Sequence, residues 1–361
     1  MEKKEKNRSY IRYIDGLKGI ACTLIMCGHY YGIYKYASNK DALDLSIFSV
    51  FEHPPFAFLM NESYWLSLFF VISGYLISIQ PIMNIFDLGK KCVRRALRFL
   101  LPIYGACFFI ESLYLLIGFH NGELQRLIAN EWLESFYQDK ISIKTILVEP
   151  FQVVFLVKET PSLNSPWWCI GGMFYTSLLI YILNFIREKK QKLALALLIV
   201  IMCFLWIKRE NQFIGIFVSG LLGMAVYWFE EIINRVLSKR YIYILGAMGL
   251  VFVSAFQVRT DLKPLYFAIL IGIIPQLHHV KEILASRFLV FLGTISFGIY
   301  SFHWPIFCSI GMLILKKEIN EISMGISFLI TYIVSMGGSI CLAYIYHIVI
   351  ERPIAKTLIH R

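Results

Sequence analysis

Residues 15–29 read Asp15-Gly16-Leu17-Lys18-Gly19-Ile20-Ala21-Cys22-Thr23-Leu24-Ile25-Met26-Cys27-Gly28-His29. A polar start runs into an apolar helix that carries one histidine deep inside. An eleven-residue step is almost three helical turns, so Lys18 and His29 share a face. They lie roughly 16 Å apart along the axis, about half a bilayer core. A cation at one end and an imidazole well inside suit a site that grips a charged group at the surface and does chemistry deeper down.

The rest of the chain supplies the setting. Hydrophobic residues fill 58% of its 361 positions and charged ones only 16%. Apolar runs of about 15 to 28 residues recur from end to end, more than a soluble core can absorb. The sequence therefore predicts an all-α, polytopic membrane bundle, one integral membrane domain over residues 1–361. The formal net charge of +11 could suggest nucleic acid. The Lys and Arg residues fall between the apolar runs, which points to membrane orientation and away from nucleic acid. The eight cysteines show no CxxC pair and no metal spacing, and read as small apolar packing residues. Met1 to Arg12 is basic and precedes an apolar run, but no convincing small-residue cleavage site follows, so a signal peptide is not expected.

Ten spans are expected: Gly16–Tyr36, Ser63–Met83, Leu97–Gly118, Trp167–Ile186, Leu193–Ile207, Gln212–Phe229, Tyr241–Gln257, Pro264–Val280, Phe288–Leu315 and Ser323–Ile350. The ninth is long, and Pro305 predicts a kink or tilt. An apolar first loop with Phe48, Phe51, Phe56 and Phe58 is broken by Pro54-Pro55. It is expected to re-enter the membrane or to pack over the bundle. The mixed-charge stretch 119–166 reads as a long extracytoplasmic loop and the one sizeable soluble segment. Inner segments carry roughly twice the Lys and Arg of outer ones when both termini are cytoplasmic, as the positive-inside bias requires. The expected location is the cell membrane, multi-pass.

Ionisable groups inside spans are functional candidates because each costs about 2.5–3.5 kcal/mol to insert for Asp, Lys or Arg. His29, Glu111 and His303 all fall roughly 20–22 Å from the inner side. Two imidazoles and a carboxylate at one level suit proton handling or acyl transfer. Simple interhelical hydrogen bonding would also place them there. At the inner side Arg94, Arg95 and Arg98 open the third span. Guanidinium forks at a helix N-terminus fit a phosphate, and positive-inside anchoring gives the same pattern. Gly74 permits close helix approach and Ser73 can hydrogen-bond across an interface. Trp167 and Trp168 fit an interfacial belt or the roof of a substrate cleft. Glu351 is placed to pair with a basic residue before Pro353 stops the last helix.

Taken together these residues resemble the acyltransferase 3 family of integral membrane acyltransferases. The stretch from Asp15 to Ala21 with His29 resembles its first-helix signature. Phe69-Phe70-Val71-Ile72-Ser73-Gly74-Tyr75 resembles its second-helix motif, and Arg95-x-x-Arg98 with Pro102 its Arg-x-x-Arg motif. Ser296 to His303 resembles its Ser-Tyr-x-x-Tyr-x-x-His stretch, with Phe297 in place of the first tyrosine. Glu351-x-Pro353 resembles the closing motif. The family commonly carries a glutamate five residues after the span-four tryptophan, where this chain has Met173.

The resemblance implies an O-acyltransferase, most simply an O-acetyltransferase, with no permanently bound cofactor and no metal. Acetyl-CoA, or another acyl-CoA, would come from the cytoplasm. Its phosphates would meet Arg94, Arg95 and Arg98 with Lys18 nearby. His29 would act as general base or take the acyl group, with Lys18, His303 and Glu111 in support. Ser73, Trp168 and Tyr300 are the expected substrate-binding positions. The acceptor would be a hydroxyl of a surface polysaccharide, glycolipid or related glycan. Only about ten residues follow the last span, too few for an esterase-like second domain. The group would therefore go directly to the acceptor or to a separate acyl-accepting protein. The competing readings are a transporter or flippase of a lipid-linked sugar, which would favour repeats and broken helices, and a non-catalytic scaffold.

Overall fold

The computed structural model describes residues 2–37, 46–123, 130–138, 141–186, 198, 201–202, 211–237, 240–256, 262–318 and 322–359. Among the described residues it is helical throughout, with no strand. The helices are α1 Glu2–Lys35, α2 Glu62–Ser78, α3 Ile85–Leu116, α4 Ile143–Phe155, α5 Ile170–Phe185, α6 Gln212–Trp228, α7 Glu230–Val236, α8 Arg240–Phe256, α9 Lys263–Ile273, α10 His278–Leu284, α11 Arg287–Thr294, α12 Ser296–Ile306, α13 Met312–Glu318, α14 Met324–Tyr346 and α15 Arg352–Ile359. A π-helical turn, Phe307–Gly311, links α12 to α13, and a second, His347–Glu351, links α14 to α15.

Among the described residues four stretches are long and apolar enough to cross a membrane: Ile85–Leu116, Ser165–Phe185, Ser296–Lys317 and Met324–Leu358. The number is six if each of two bent pairs is one span. Helices α2 and α8 have 17 residues each, and the polar groups of α1 dilute its hydropathy. Most of the expected span Leu193–Ile207 lies outside the described residues.

Local chemistry explains where the elements begin. Asn211 caps α6 by accepting from the amides of Phe213 and Ile214, so that span starts where its sequence indicates. The third span differs. Asn84 Oδ1 accepts from the Asp87 amide at 2.9 Å, and Asp87 pairs with Lys91 one turn on at 3.0 Å. The helix therefore begins at Ile85, twelve residues before the expected Leu97. Arg94, Arg95 and Arg98 lie well inside it, not at its N-terminus, so the helix dipole lends them nothing. The eighth span also departs from expectation. The chain turns by 105° between Lys263–Gln276 and His278–Leu284, and by 70° between α6 and α7. The expected ninth span is built of α11, α12, the π turn and α13.

The chain forms two compact units. The first comprises Met1–Ala21, Ser63–Leu97 and Cys169–Thr294; the second comprises Cys22–Glu62, Arg98–Trp168 and Ile295–Arg361. In the first unit glycine sets the spacing of α2 and α6. A Cβ on Gly74 would lie 2.0 Å from the Gly220 carbonyl oxygen, and one on Gly223 would lie 2.0 Å from that of Val71. Neither gap admits a methyl group, so the backbones meet directly. In the second unit the 22 end of α1, the C-terminal half of α3, and α12 to α14 surround Tyr30, Phe302, Phe307 and Tyr346, all essentially buried. Phe48 of the first loop packs on Tyr34, ring centroids 5.8 Å apart, so that loop lies against this unit.

Gly74→Ala is expected to destabilise the protein by about 1–3 kcal/mol through overpacking. Gly89 has nothing within 4 Å, so Gly89→Ala is expected to stabilise α3 by about 0.5–1 kcal/mol. Thermal unfolding of both variants in detergent checks the opposite signs.

Candidate active site

The site in the second unit is built on a helix whose hydrogen-bond ladder is interrupted. Pro305 lies inside α12 and has no amide hydrogen for the Ser301 carbonyl four residues earlier. Asn164 fills that gap, its Nδ2 donating to the Ser301 carbonyl at 3.0 Å. Trp167 Nε1 donates to Ser301 Oγ at 3.3 Å, and the Tyr300 hydroxyl donates to the Pro166 carbonyl. Beyond the proline the helix widens into the π turn, where the Cys308 carbonyl accepts from the His120 amide at 2.8 Å. Segment 119–168 thus supplies the donors that α12 lacks.

These ties fix His303, which is 1% exposed. Its Nδ1 lies 3.0 Å from the Ile299 carbonyl and its Nε2 lies 2.7 Å from His29 Nδ1. The partners assign the protons. A carbonyl only accepts, so His303 Nδ1 carries the hydrogen. In the neutral ring His303 Nε2 is then bare and accepts from His29 Nδ1–H. His29 Nε2 is left with a lone pair, no protein partner among the described residues, and a partly exposed ring. The two rings lie 8° from parallel with centroids 5.0 Å apart. Tyr30 supports both sides, its hydroxyl lying 3.0 Å from the His303 carbonyl and 3.3 Å from Ser339 Oγ.

Aromatic rings enclose the pair. Trp304 stands edge-on to His29 at 6.1 Å and packs against Trp132 at 5.1 Å and Phe136 at 4.8 Å. Trp304 Nε1 and Asn164 Oδ1 are buried without a hydrogen-bond partner. The 119–166 segment is pinned over this wall. Asn130 Nδ2 donates to the Ile33 carbonyl at 2.9 Å, and Lys316 bonds Glu123. That ammonium and His120 hold the Glu123 carboxyl below the usual range.

The expected site residues divide as follows. His29 and His303 meet. Among the described residues Glu111 has no hydrogen-bond or ion-pair partner, and its Oε2 is buried. It is not joined to the imidazoles. Tyr300 lies near His303, ring centroids 6.1 Å apart. Trp167 is anchored beside the site through Ser301; it is fully buried, which excludes the interfacial belt for it. Arg98 is exposed. Glu351 pairs with His347, one turn earlier, at 2.8 Å.

In the first unit Lys18 is paired with Asp15 at 2.6 Å. Arg95 spans two helices there, its Nε donating to Ser177 Oγ at 3.0 Å and its Nη2 to Ser73 Oγ at 3.2 Å. The Ser73 expected to bridge an interface does so through Arg95. Met173, at the family's glutamate position, offers its carbonyl to Ser177 Oγ at 2.6 Å. Sequence reading missed Asn164, Trp304, Tyr30 and Ser177. The signal for Asn164 was present in Pro305, which guarantees one unbonded carbonyl in need of a donor.

A family model described as an acyltransferase domain matches residues 11–348 of this chain. No curated protein and no solved structure matches it.

The proton assignment is open to direct measurement. In protein carrying 15N-histidine, solid-state NMR is expected to give both His29 and His303 a protonated Nδ1 and a bare Nε2. His303→Ala removes the acceptor of His29 Nδ1–H, and the His29 signal is then expected to split between tautomers.

Proposed function

The chain belongs to the acyltransferase 3 family, and we propose that it is an O-acetyltransferase that moves an acetyl group from acetyl-CoA to a hydroxyl of a cell-surface polysaccharide or glycolipid. The observation that carries this reading is the bare Nε2 of His29, set by the chain of hydrogen bonds from the Ile299 carbonyl through His303.

In the proposed reaction the acceptor hydroxyl gives its proton to His29 Nε2 as its oxygen attacks the thioester carbonyl. The new C–O bond forms, the C–S bond breaks, and the CoA thiolate leaves with the proton returned by His29. His303 Nε2 accepts from His29 Nδ1 throughout and steadies the imidazolium that forms, the part a carboxylate plays in a hydrolase triad. Trp304 Nε1, buried without a partner beside His29, is a donor for the oxygen that gains charge. His303 is a positioning residue; His29 is the base.

The donor's phosphates bind Arg95 and Arg98. Support comes from the rigid seating of the Arg95 fork on Ser73 and Ser177 and from the exposure of Arg98. The Lys18–Asp15 pair makes Lys18 a weaker phosphate ligand than an isolated ammonium. The proposal keeps ten spans in the cell membrane and both termini in the cytoplasm, supported by the placement of Lys and Arg. The bent pairs α6–α7 and α9–α10 are the features a transporter of lipid-linked sugars would also use.

Membrane vesicles given labelled acetyl-CoA and a glycan extract test the proposal. Label is expected in glycan or lipid with the parent protein. His29→Ala is expected to lower transfer at least 100-fold, within the range for a lost general base, while CoA still binds. Labelled substrate translocated without transfer of label would favour the transporter. The serines give a separate test. Ser73→Ala with Ser177→Ala is expected to raise the KM for acetyl-CoA several-fold and to leave kcat within about twofold, because they position a binding group.

A further inference from the structure

Helix α4 is inside out for a water-exposed loop. Its hidden face carries Glu149, 1% exposed, whose carboxylate accepts from Lys158 Nζ at 2.8 Å, the Leu163 amide at 2.6 Å and the Ser162 hydroxyl. Its outer face carries Ile143 at 76% exposure, Leu147 at 60% and Phe151 at 48%, one turn apart. A helix facing water has the opposite arrangement. With 13 residues it is about 20 Å long, too short to cross a bilayer and suited to partial insertion.

The neighbouring surface identifies what covers this face. Helix α3, apolar enough to span, exposes Leu101, Phe108 and Leu115 at seven-residue intervals. Tyr104 lies on the same stretch, and its hydroxyl donates to the Leu147 carbonyl at 2.8 Å. That bond joins α4 to α3 at a carbonyl beside the one that Pro150 leaves without its amide partner. A spare donor is valuable where no water can reach the backbone. The exposed face of α4 therefore continues the lipid-facing surface of α3. Lys144, exposed in the first turn of α4, can extend to the headgroup level.

We infer that α4 is set into the hydrocarbon of the bilayer, its Ile143, Leu147 and Phe151 face against lipid chains and its Glu149 face against the protein. Stretch 143–155 is then not part of an aqueous loop. Through Glu149 the inserted helix fixes the turn at Ser162 and Leu163, and the next residue, Asn164, holds the Ser301 carbonyl below His303. The roof of the histidine pair is thereby anchored in the membrane.

Photocrosslinking in phospholipid nanodiscs tests this. Phe151 or Leu147 is replaced by p-benzoylphenylalanine in the full chain, and Phe108 likewise as the lipid-facing control. Thermal unfolding matching the parent verifies each fold. After irradiation, mass spectrometry is expected to find phospholipid adducts at Phe151 and Leu147 as at Phe108. Adducts at Phe108 but none at the two α4 positions would overturn the inference in favour of water. Crosslinks from α4 to another copy of the chain would overturn it in favour of a dimer face.

Discussion

One backbone carbonyl, that of Ile299, determines which nitrogen of the histidine pair is left with a free lone pair. It can only accept, so it forces the proton of His303 onto Nδ1. That leaves His303 Nε2 as the acceptor for His29, and His29 Nε2 bare. Two side chains more than 270 positions apart in sequence are given fixed tautomers by a group with no acid–base chemistry of its own. Anything that rotates α12 about its axis breaks the chain of assignments. Much of the second unit can be understood as holding α12 in place.

The proline that weakens α12 is also what secures it. A regular helix shows its neighbours only side chains, and side-chain packing alone tolerates small rotations. Pro305 frees the Ser301 carbonyl, and the π turn exposes that of Cys308. Both are met from the 119–168 segment, by Asn164 and His120. Leaving such a group unpaired in a dry interior costs about 1–3 kcal/mol. The segment is thus bound to α12 by backbone need, with aromatic contacts from Trp132 and Phe136 added. It is a structural member of the site even though it supplies neither imidazole.

The sequence was legible where a single residue carried the physics. His29 and His303 were placed at one depth by counting along helices, and the structure puts them in contact. Gly74 announced a close helix crossing, and α6 begins and ends within a residue of its expected span. The failures have physical causes. The start of α3 is amphipathic, so hydropathy could not see the twelve residues that Asn84 and Asp87 add. The bend after Trp228 falls in a stretch without the glycine pair or proline that announces a break, whereas the bend after Gln276 follows Pro275 directly, a signal that the expected unbroken span passed over. In the 119–166 segment charges were counted before their partners were known. Glu149, Lys158, Glu123 and Lys316 are largely spoken for by one another, which leaves α4 far more apolar than its surroundings suggest. Glu111 shows the limit of counting depth, since a shared level does not make a shared site.

A pair of histidines is also the form of base that an apolar bundle can hold at least cost. A carboxylate behind His29 would stabilise the imidazolium more strongly, but it must be ionised to do so. Burying such a charge costs several kcal/mol unless it is fully hydrogen-bonded, as Glu149 is. A neutral imidazole is only a polar group, and His303, with its Nδ1–H on the Ile299 carbonyl and its Nε2 on His29, has no unmet hydrogen bond. The resting pair therefore carries no charge into the bilayer. In the proposed transfer, charge would arise only while His29 held the acceptor's proton and would disappear when the thiolate took that proton back. For a transfer that begins and ends with neutral hydroxyl, thioester, ester and thiol, a neutral pair suffices. The same reasoning explains why Met173 is tolerable in this chain. The Arg95 fork is seated by the hydroxyls of Ser73 and Ser177, and in the proposed mechanism the proton is handled by imidazoles, so neither task would require a carboxylate at position 173.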